Sequence, residues 1–237
     1  MKLFVFVLII TNWVLAQDIP YNKVQFKTSH NSYATDVSII DLITVHNFQA
    51  IELDLHTSKL FNPTIAKDWY IYHHTLDLKS NINTFSEALK QLSKYSRSNK
   101  GHDVITVFLD TDRFDKSHSI NDFNMLLSKN FSHKLFTPKR IKSKWPKLEH
   151  LKDKFIFVLT SGDLKKYITS KNQLAFVASK PNRIIEGSIF MNSKFTDNKE
   201  WIKDQKNQNK VLRFYHLDKK EIPKARELGV NFIALDL

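Results

Sequence analysis

The chain contains no cysteine and only four glycines among its 237 residues. Without cysteine it has neither disulfide bonds nor thiolate ligands for a metal ion, so the stability of the fold has to come from a buried hydrophobic core. Scarce glycine disfavours a glycine-rich loop that would cradle phosphate groups with backbone N–H groups. Phosphate or metal chemistry in this protein therefore depends on the oxygen and nitrogen atoms of side chains.

The apolar run at the N-terminus is too short to span a membrane. Lys2 supplies a positive start, residues 3–10 are apolar, and residues 14–16 end in the small alanine that signal peptidase accepts. The polar pair at residues 11–12 breaks the run well before the roughly 20 apolar residues that a bilayer requires. We expect a signal peptide over residues 1–16, a single domain over 17–237, and a secreted or periplasmic protein; a retained membrane tether is the alternative.

The charge balance is strongly basic, with a formal net charge of +12. Lysines and arginines are densest over residues 139–154, around Trp145. Such a surface favours encounter with anionic lipids, although a solvated lysine-rich face is the simpler interpretation. The chain shows no helix-turn-helix, finger or aromatic sheet motif, so we expect no nucleic acid partner. We expect a monomer that can touch a membrane surface.

Short runs rich in β-branched and aromatic residues alternate with segments of helical periodicity. Helix starts are predicted at Thr84 and Ser119, each followed three residues later by an acid, and a helix end at Gly229. The alternation predicts a compact TIM (β/α)₈ barrel; a doubly wound open sheet is the alternative, although no glycine-rich loop follows its first strand. The eight predicted strands span residues 24–28, 50–55, 69–73, 104–110, 155–160, 188–191, 211–215 and 231–236.

Acidic and amide side chains lie where several predicted strands end. Glu52 and Asp54 are two residues apart and therefore point to the same face of their strand. In a parallel sheet covered by helices such acids need a cation or hydrogen bonds to offset burial. Asp110 closes a very apolar strand, where helix or loop capping is the simpler role, and Asn31 follows the first strand. This oxygen-only set favours Ca²⁺ or Mg²⁺ over Zn²⁺.

Two histidines belong to the same predicted rim. His30 and His73 could exchange protons near neutral pH, as cleavage of a phosphodiester requires. Adjacent residues of a strand face opposite ways, so only one of His73 and His74 can enter the site, and the register does not choose between them. His56 and His74 are harder to dismiss as surface residues. The surface is the expected place for His46, His102, His118, His133 and His150.

Four segments in this order resemble the catalytic half of the calcium-dependent phosphatidylinositol-specific phospholipase C enzymes of the C1-like group. They are Ser-His-Asn-Ser-Tyr at 29–33, Ile-Glu-Leu-Asp at 51–54, Tyr-His at 72–73 and Phe-Leu-Asp at 108–110. Residues 145–148, 154–159, 211–213 and 228–236 resemble the second half of these enzymes less specifically.

The resemblance implies a barrel of the PLC-like phosphodiesterase type, a phosphoric diester hydrolase that releases diacylglycerol and a cyclic inositol phosphate from a phospholipid. It implies His30 and His73 as the catalytic pair, because Tyr-His is the matching dipeptide. The calcium ligands that it implies are Asn31, Glu52, Asp54 and Asp110.

Asp110 stands where that group often has glutamate, and no lysine follows the fifth predicted strand to contact ring phosphates. Two other functions stay open. A glycerophosphodiesterase or sphingomyelinase D barrel also uses two histidines with a Glu-x-Asp pair, although glycerophosphodiesterases usually carry Arg-Gly where Asn31 and Ser32 stand. An inactive barrel that binds lipid or glycan is the second.

Overall fold

The computed structural model describes residues 18–59, 62–73 and 80–236. The predicted signal peptide and His74 lie outside these ranges, so the expectations for them stay predictions. No helix within the described ranges is both long and apolar enough to cross a bilayer.

Parallel strands form a closed barrel within the described residues. Eight of the strands follow one another around the ring in chain order, and β1 closes it by pairing with both β9 and β2. This arrangement confirms the predicted TIM barrel. The strands are β1 Phe26–Ser29, β2 Ala50–His56, β3 Tyr70–Ile71, β4 Ile105–Thr111, β5 Phe155–Leu159, β6 Phe176–Ser179, β7 Phe190–Lys194, β8 Val211–Tyr215 and β9 Phe232–Leu235.

Two strand predictions are wrong in detail. The third predicted strand, 69–73, is not part of the ring; it contains β3, which pairs antiparallel with Leu55 and His56 of β2. Because β2 extends beyond its pairing with β1 at Ala50, the edge near Leu55 is open to this extra strand. The ring instead includes β6, which the sequence prediction missed because a short run that is buried on both faces has no alternation.

Helices connect the barrel strands. Thr84 accepts a hydrogen bond from the backbone of Glu87, and Ser119 and Asp122 form a complete capping box, so both predicted helix starts are confirmed. Gly229 adopts a φ of +71° beyond the last helix, as predicted for a helix end. The helices are α1 Ile39–Thr44, α2 Phe85–Ser98, α3 Ile120–Phe131, α4 Leu164–Ile168, α5 Lys199–Asn207 and α6 Ile222–Glu227, with 3₁₀ turns at Tyr21–Lys23, Ser132–Lys134, Pro138–Arg140 and Leu148–Leu151.

Aromatic rings fill the lower part of the barrel. Phe26 stacks on Phe232 at a centroid distance of 4.8 Å, and Phe108 meets Phe232 edge-on at 5.0 Å. Such pairs contribute about 0.5–1.5 kcal/mol each beyond the area they bury. The inward positions above this layer are polar: Glu52, Asp54 and His56 on β2, Asp110 on β4, and Arg213 and Tyr215 on β8. The packed aromatic floor therefore confines polar chemistry to the carboxyl end of the strands.

Candidate active site

His30 directly follows β1 and is buried between two carboxylates. Its Nδ1 lies 2.6 Å from Oδ1 of Asp236, and its Nε2 lies 3.4 Å from Oε2 of Glu52. The Nδ1–H group donates to the carboxylate of Asp236, which turns Nε2 toward the site. The ring is therefore held in one orientation.

The three predicted carboxylates stand on two neighbouring strands, β2 and β4, near the carboxyl end of the barrel. Asp54 of β2 is in register with Asp110 of β4, and Glu52 lies one inward position below Asp54. Burial raises the pKa of Asp54 to about 6, and the negative charges of Glu52 and Asp110 add to this effect. The Ser161 hydroxyl donates a hydrogen bond to Asp110. The cluster concentrates negative charge that a cation would offset.

Asn31 joins this cluster through its backbone and its side chain. Its φ of +46° is left-handed, a conformation that asparagine tolerates better than most residues. Its backbone N–H faces Oε2 of Glu52 at 3.4 Å. The Tyr33 hydroxyl lies 3.5 Å from the amide oxygen of Asn31 and donates to Asp54 at 2.7 Å. Tyr33 thus links two of the predicted ligands.

His73 reaches the same rim from outside the ring. It follows β3, its Nδ1 lies 3.4 Å from Oδ2 of Asp54, and 43% of its side chain is exposed. The structure therefore brings both predicted catalytic histidines beside the predicted ligand cluster, each in contact with a different carboxylate.

The donor set fits a hard divalent cation. Within the described ranges, no three His, Asp or Glu side chains stand close enough to form a preassembled metal cage. The amide of Asn31 and the carboxylates of Glu52, Asp54 and Asp110 nevertheless supply oxygen atoms only, and burial together with the neighbouring carboxylates raises the pKa of Asp54. The assignment of these four residues as metal ligands stays a prediction.

Arg213 of β8 is a buried site residue that the sequence prediction missed. Its Nη2 lies 2.7 Å from Oε2 of Glu52, and its Nη1 donates to Oδ1 of Asn192 at 2.7 Å. The guanidinium also lies over the ring of Phe108, 4.7 Å from the centroid. This cation offsets the charge of the Glu52 carboxylate, which is only 5% exposed.

Two further aromatic side chains surround His30. Tyr215 stacks near it at 6.2 Å, and His216 meets it edge-on at 5.0 Å between centroids. Lys194 of β7 is in register with Tyr215, which places a lysine on the rim opposite the acids. The sequence indicates this side of the rim by the alternation along β8 of Val211, Arg213 and Tyr215. The mouth is therefore acidic at β2 and β4 and basic at β7 and β8.

Two of the histidines expected at the surface are buried. His118 is 1% exposed, and its Nε2 lies 3.0 Å from the carbonyl of Ile65. The side chain of His102 is 4% exposed and contacts the Ser96 hydroxyl at 2.7 Å. The surface prediction is wrong for both, because each ring finds acceptors that satisfy its nitrogens inside the protein.

Comparison with solved structures identifies the architecture. The chain is similar to a calcium-dependent phosphoinositol-specific phospholipase C from a Gram-negative bacterium, Pseudomonas sp., with a TM-score of 0.81 and 18% identity over 93% of this chain and 91% of that chain. The fold is that of the PLC-like phosphodiesterases. A Ca²⁺-dependent phosphatidylinositol-specific phospholipase C from Streptomyces antibioticus matches with a TM-score of 0.72 and 14% identity, over 91% and 94% of the two chains.

A more distant PLC-like barrel is also similar. A glycerophosphodiester phosphodiesterase from Parabacteroides distasonis matches with a TM-score of 0.57 and 14% identity, over 90% of this chain and 92% of that chain. No family model and no curated protein matches the chain. At these sequence identities the likeness establishes the fold alone. The activity has to be inferred from the residues of the site.

Proposed function

We propose that the protein is a calcium-dependent phosphatidylinositol-specific phospholipase C that acts after export. The observation that carries the proposal is the pair of imidazoles at the carboxyl end of the barrel, His30 beside Glu52 and His73 beside Asp54. The likeness to calcium-dependent phospholipases C in solved structures supports the same reaction class.

The mechanism is displacement at phosphorus by the inositol 2-hydroxyl. Glu52 takes the hydroxyl proton while the new O–P bond forms, and Arg213 compensates the charge of Glu52. His30 acts in its doubly protonated form: its Nδ1–H stays bonded to Asp236, and its Nε2–H donates to the charged phosphoryl oxygens. His73 donates a proton to the diacylglycerol oxygen as the second P–O bond breaks. The first product is a cyclic inositol phosphate, which water then opens.

The proposed cation would be held by Asn31, Glu52, Asp54 and Asp110. The chemistry that a bound Ca²⁺ supplies is neutralisation of phosphoryl charge and a lower pKa for the attacking hydroxyl. Mg²⁺ is the second candidate, because the same oxygen ligands accept it.

The decisive experiment compares two substrates. Phosphatidylinositol in mixed micelles should yield diacylglycerol and cyclic inositol phosphate with Ca²⁺ present, and chelation should stop the reaction. Release of choline from glycerophosphocholine instead would assign the protein to the glycerophosphodiesterase type. A Ca²⁺-dependent rise in melting temperature without turnover of either substrate would indicate a binding protein.

Variants of the two histidines test the mechanism. His30→Ala and His73→Ala should each lower kcat about 10²- to 10⁴-fold, the usual contribution of general acid–base catalysis. His150→Ala is the control, because this exposed histidine pairs with Glu149 ahead of β5, at the opposite end of the barrel. A His73→Ala variant that retains most of its activity would contradict the proposed acid.

A further inference from the structure

His56 is a histidine at the rim that the proposed mechanism does not use. It ends β2, two residues beyond Asp54 and on the same strand face. Its Nδ1 lies 3.0 and 3.1 Å from the two carboxylate oxygens of Asp112, and its Nε2 lies 2.9 Å from the backbone carbonyl of Tyr72. Both ring nitrogens therefore contact oxygen atoms of neighbouring segments.

Tyr72 is held at three points. Besides the bond to the Tyr72 carbonyl, the His56 ring stacks on the Tyr72 ring with a centroid distance of 4.0 Å and an interplanar angle of 19°. The Tyr72 hydroxyl donates to the carbonyl of Ser58 at 2.6 Å. The backbone, ring and hydroxyl of Tyr72 are all held by residues 56–58.

Asp112 anchors the other side of His56. Its backbone N–H donates to the carbonyl of Leu55 at 3.2 Å, and its carboxylate lies 3.4 Å from the backbone N–H of Thr57. The carboxylate that holds His56 is thus bound to the end of β2. Each link from β4 through Asp112 and His56 to Tyr72 is a direct contact.

His73 follows Tyr72 in the chain and needs such support. Its side chain is 43% exposed, so burial does not fix its position. The preceding strand, β3, has only two residues, which pair with β2 and with the segment at Thr84, so this pairing ends before Tyr72. The backbone position at Tyr72 therefore sets where the His73 imidazole lies relative to Asp54.

We propose that His56 is a positioning residue that, together with Asp112, holds Tyr72 so that His73 can protonate the leaving alkoxide. The inference rests on the proposed function, in which His73 is the general acid. His56 belongs to none of the four segments that carry the phospholipase C resemblance, so the assignment comes from the contacts alone. A catalytic group displaced by about 1 Å can lose about a hundredfold in rate.

Two substrates with different leaving groups distinguish positioning from a general loss of structure. The leaving group of phosphatidylinositol is the diacylglycerol alkoxide, which needs a proton. The leaving group of the p-nitrophenyl ester of inositol 1-phosphate is a phenolate, which is stable without one. His56→Ala should lower kcat for the lipid about 10- to 100-fold while KM changes less than about twofold. Its effect on the aryl ester should be several-fold at most, as for His73→Ala.

Two conservative variants separate the contacts of His56. His56→Gln places an amide nitrogen near the position of Nε2 and can keep the bond to the Tyr72 carbonyl. His56→Asn places its amide near Nδ1 and can keep only the contact with Asp112. We expect His56→Gln to recover much of the lipid activity and His56→Asn to recover little. His150→Ala is the matched control, and thermal melting of every variant reports whether it folds.

Equal losses with both substrates, or more activity in His56→Asn than in His56→Gln, would overturn the positioning role. Wild-type protein that cleaves neither substrate would overturn the proposed function first, and the inference with it. Unchanged lipid cleavage by a folded His56→Ala variant would overturn the inference and leave the proposed function intact.

Discussion

Asp54 shows a conflict between folding and function at the scale of one residue. Its pKa in the folded protein is about 6, against 3.8 for the ordinary group, mainly because burial disfavours the charged form. Ionisation of Asp54 therefore lowers the free energy of unfolding as the pH rises above about 4. The full loss, on the order of 2–3 kcal/mol, is reached above pH 6. A bound cation would offset this cost.

The first prediction concerns Asp54→Asn. In metal-free protein at about pH 7.5 the variant should melt at a higher temperature than the wild type, because it removes the buried charge. The difference should shrink toward pH 4, where the wild-type carboxyl is protonated in the folded state. Scanning calorimetry with a chelator measures both values. A variant that is less stable than the wild type at neutral pH would contradict this electrostatic account.

The second prediction concerns the orientation of His30. Asp236→Asn should lower kcat about 10- to 100-fold with little change in KM, because the neutral amide orients the ring less firmly and no longer stabilises its doubly protonated form. The Asp236 side chain is 70% exposed, so the substitution should leave the melting temperature nearly unchanged. In a His30→Ala background the same change should have almost no further effect. Additive losses would show that Asp236 acts independently of His30.

The sequence predicts the acids of the site, whereas their buried partner, Arg213, is evident only from the structure. Glu52 and Asp54 stand out because charged residues two apart in a covered strand have no solvent face. Arg213 lies in an apolar strand of the same kind and carries the same signal. Its pairing with Glu52 depends on the barrel bringing β8 across from β2, which no local pattern contains. The sequence places Asp236 only in the last predicted strand. Its contact with His30 joins the two ends of the domain, as remote in sequence as the pairing of Arg213 with Glu52.

At the scale of elements, the turn after β5 supports the site. Gly162 has a φ of +82°, and a Cβ there would lie 2.5 Å from Oγ1 and 2.9 Å from the carbonyl oxygen of Thr111. Thr111 is the last residue of β4 and is buried, so it cannot move aside. The neighbouring Ser161 donates to Asp110, and the close approach of turn and strand keeps that bond in place.

The third prediction compares Gly162→Ala with Gly229→Ala. Both glycines are left-handed, which costs alanine about 1–2 kcal/mol, but a Cβ at Gly229 meets no atom within 4 Å. The clash at Gly162 should add about 1–3 kcal/mol to the loss of unfolding free energy. Gly162→Ala should also reduce activity through Ser161, whereas Gly229→Ala should not. Denaturant titration gives both stabilities, and equal losses would rule out the steric argument.

The strand predictions agree with the structure for the long strands and disagree with it at two short ones, β3 and β6. β2 and β4 have seven residues each and were predicted nearly in full. The sequence predicts a barrel strand at the two-residue β3, because the run from Trp69 to Tyr72 is aromatic and β-branched. The four-residue β6 was missed entirely. Closure of the ring, rather than any local preference, decides that residues 176–179 pair and residues 70–71 stay outside.

At the scale of the whole molecule, the net charge of +12 predicts how the protein meets a membrane. The fourth prediction is that it binds phosphatidylglycerol vesicles at low salt and is released at about 1 M salt, where the Debye length falls to about 3 Å. Neutral phosphatidylcholine vesicles should bind weakly at any salt concentration. Co-sedimentation measures both, and binding to anionic vesicles that is insensitive to salt would point to apolar insertion instead.

The barrel is unevenly paired around its circumference. β2 and β4 pair continuously from Ala50 and Thr106 to Leu55 and Thr111, whereas β6 contributes a strand of four residues between longer neighbours. Amide hydrogens of β6 should consequently exchange with solvent earlier than those of β2 and β4. The wall that bears the acids should thus stay assembled during local opening, while the wall at β6 opens first.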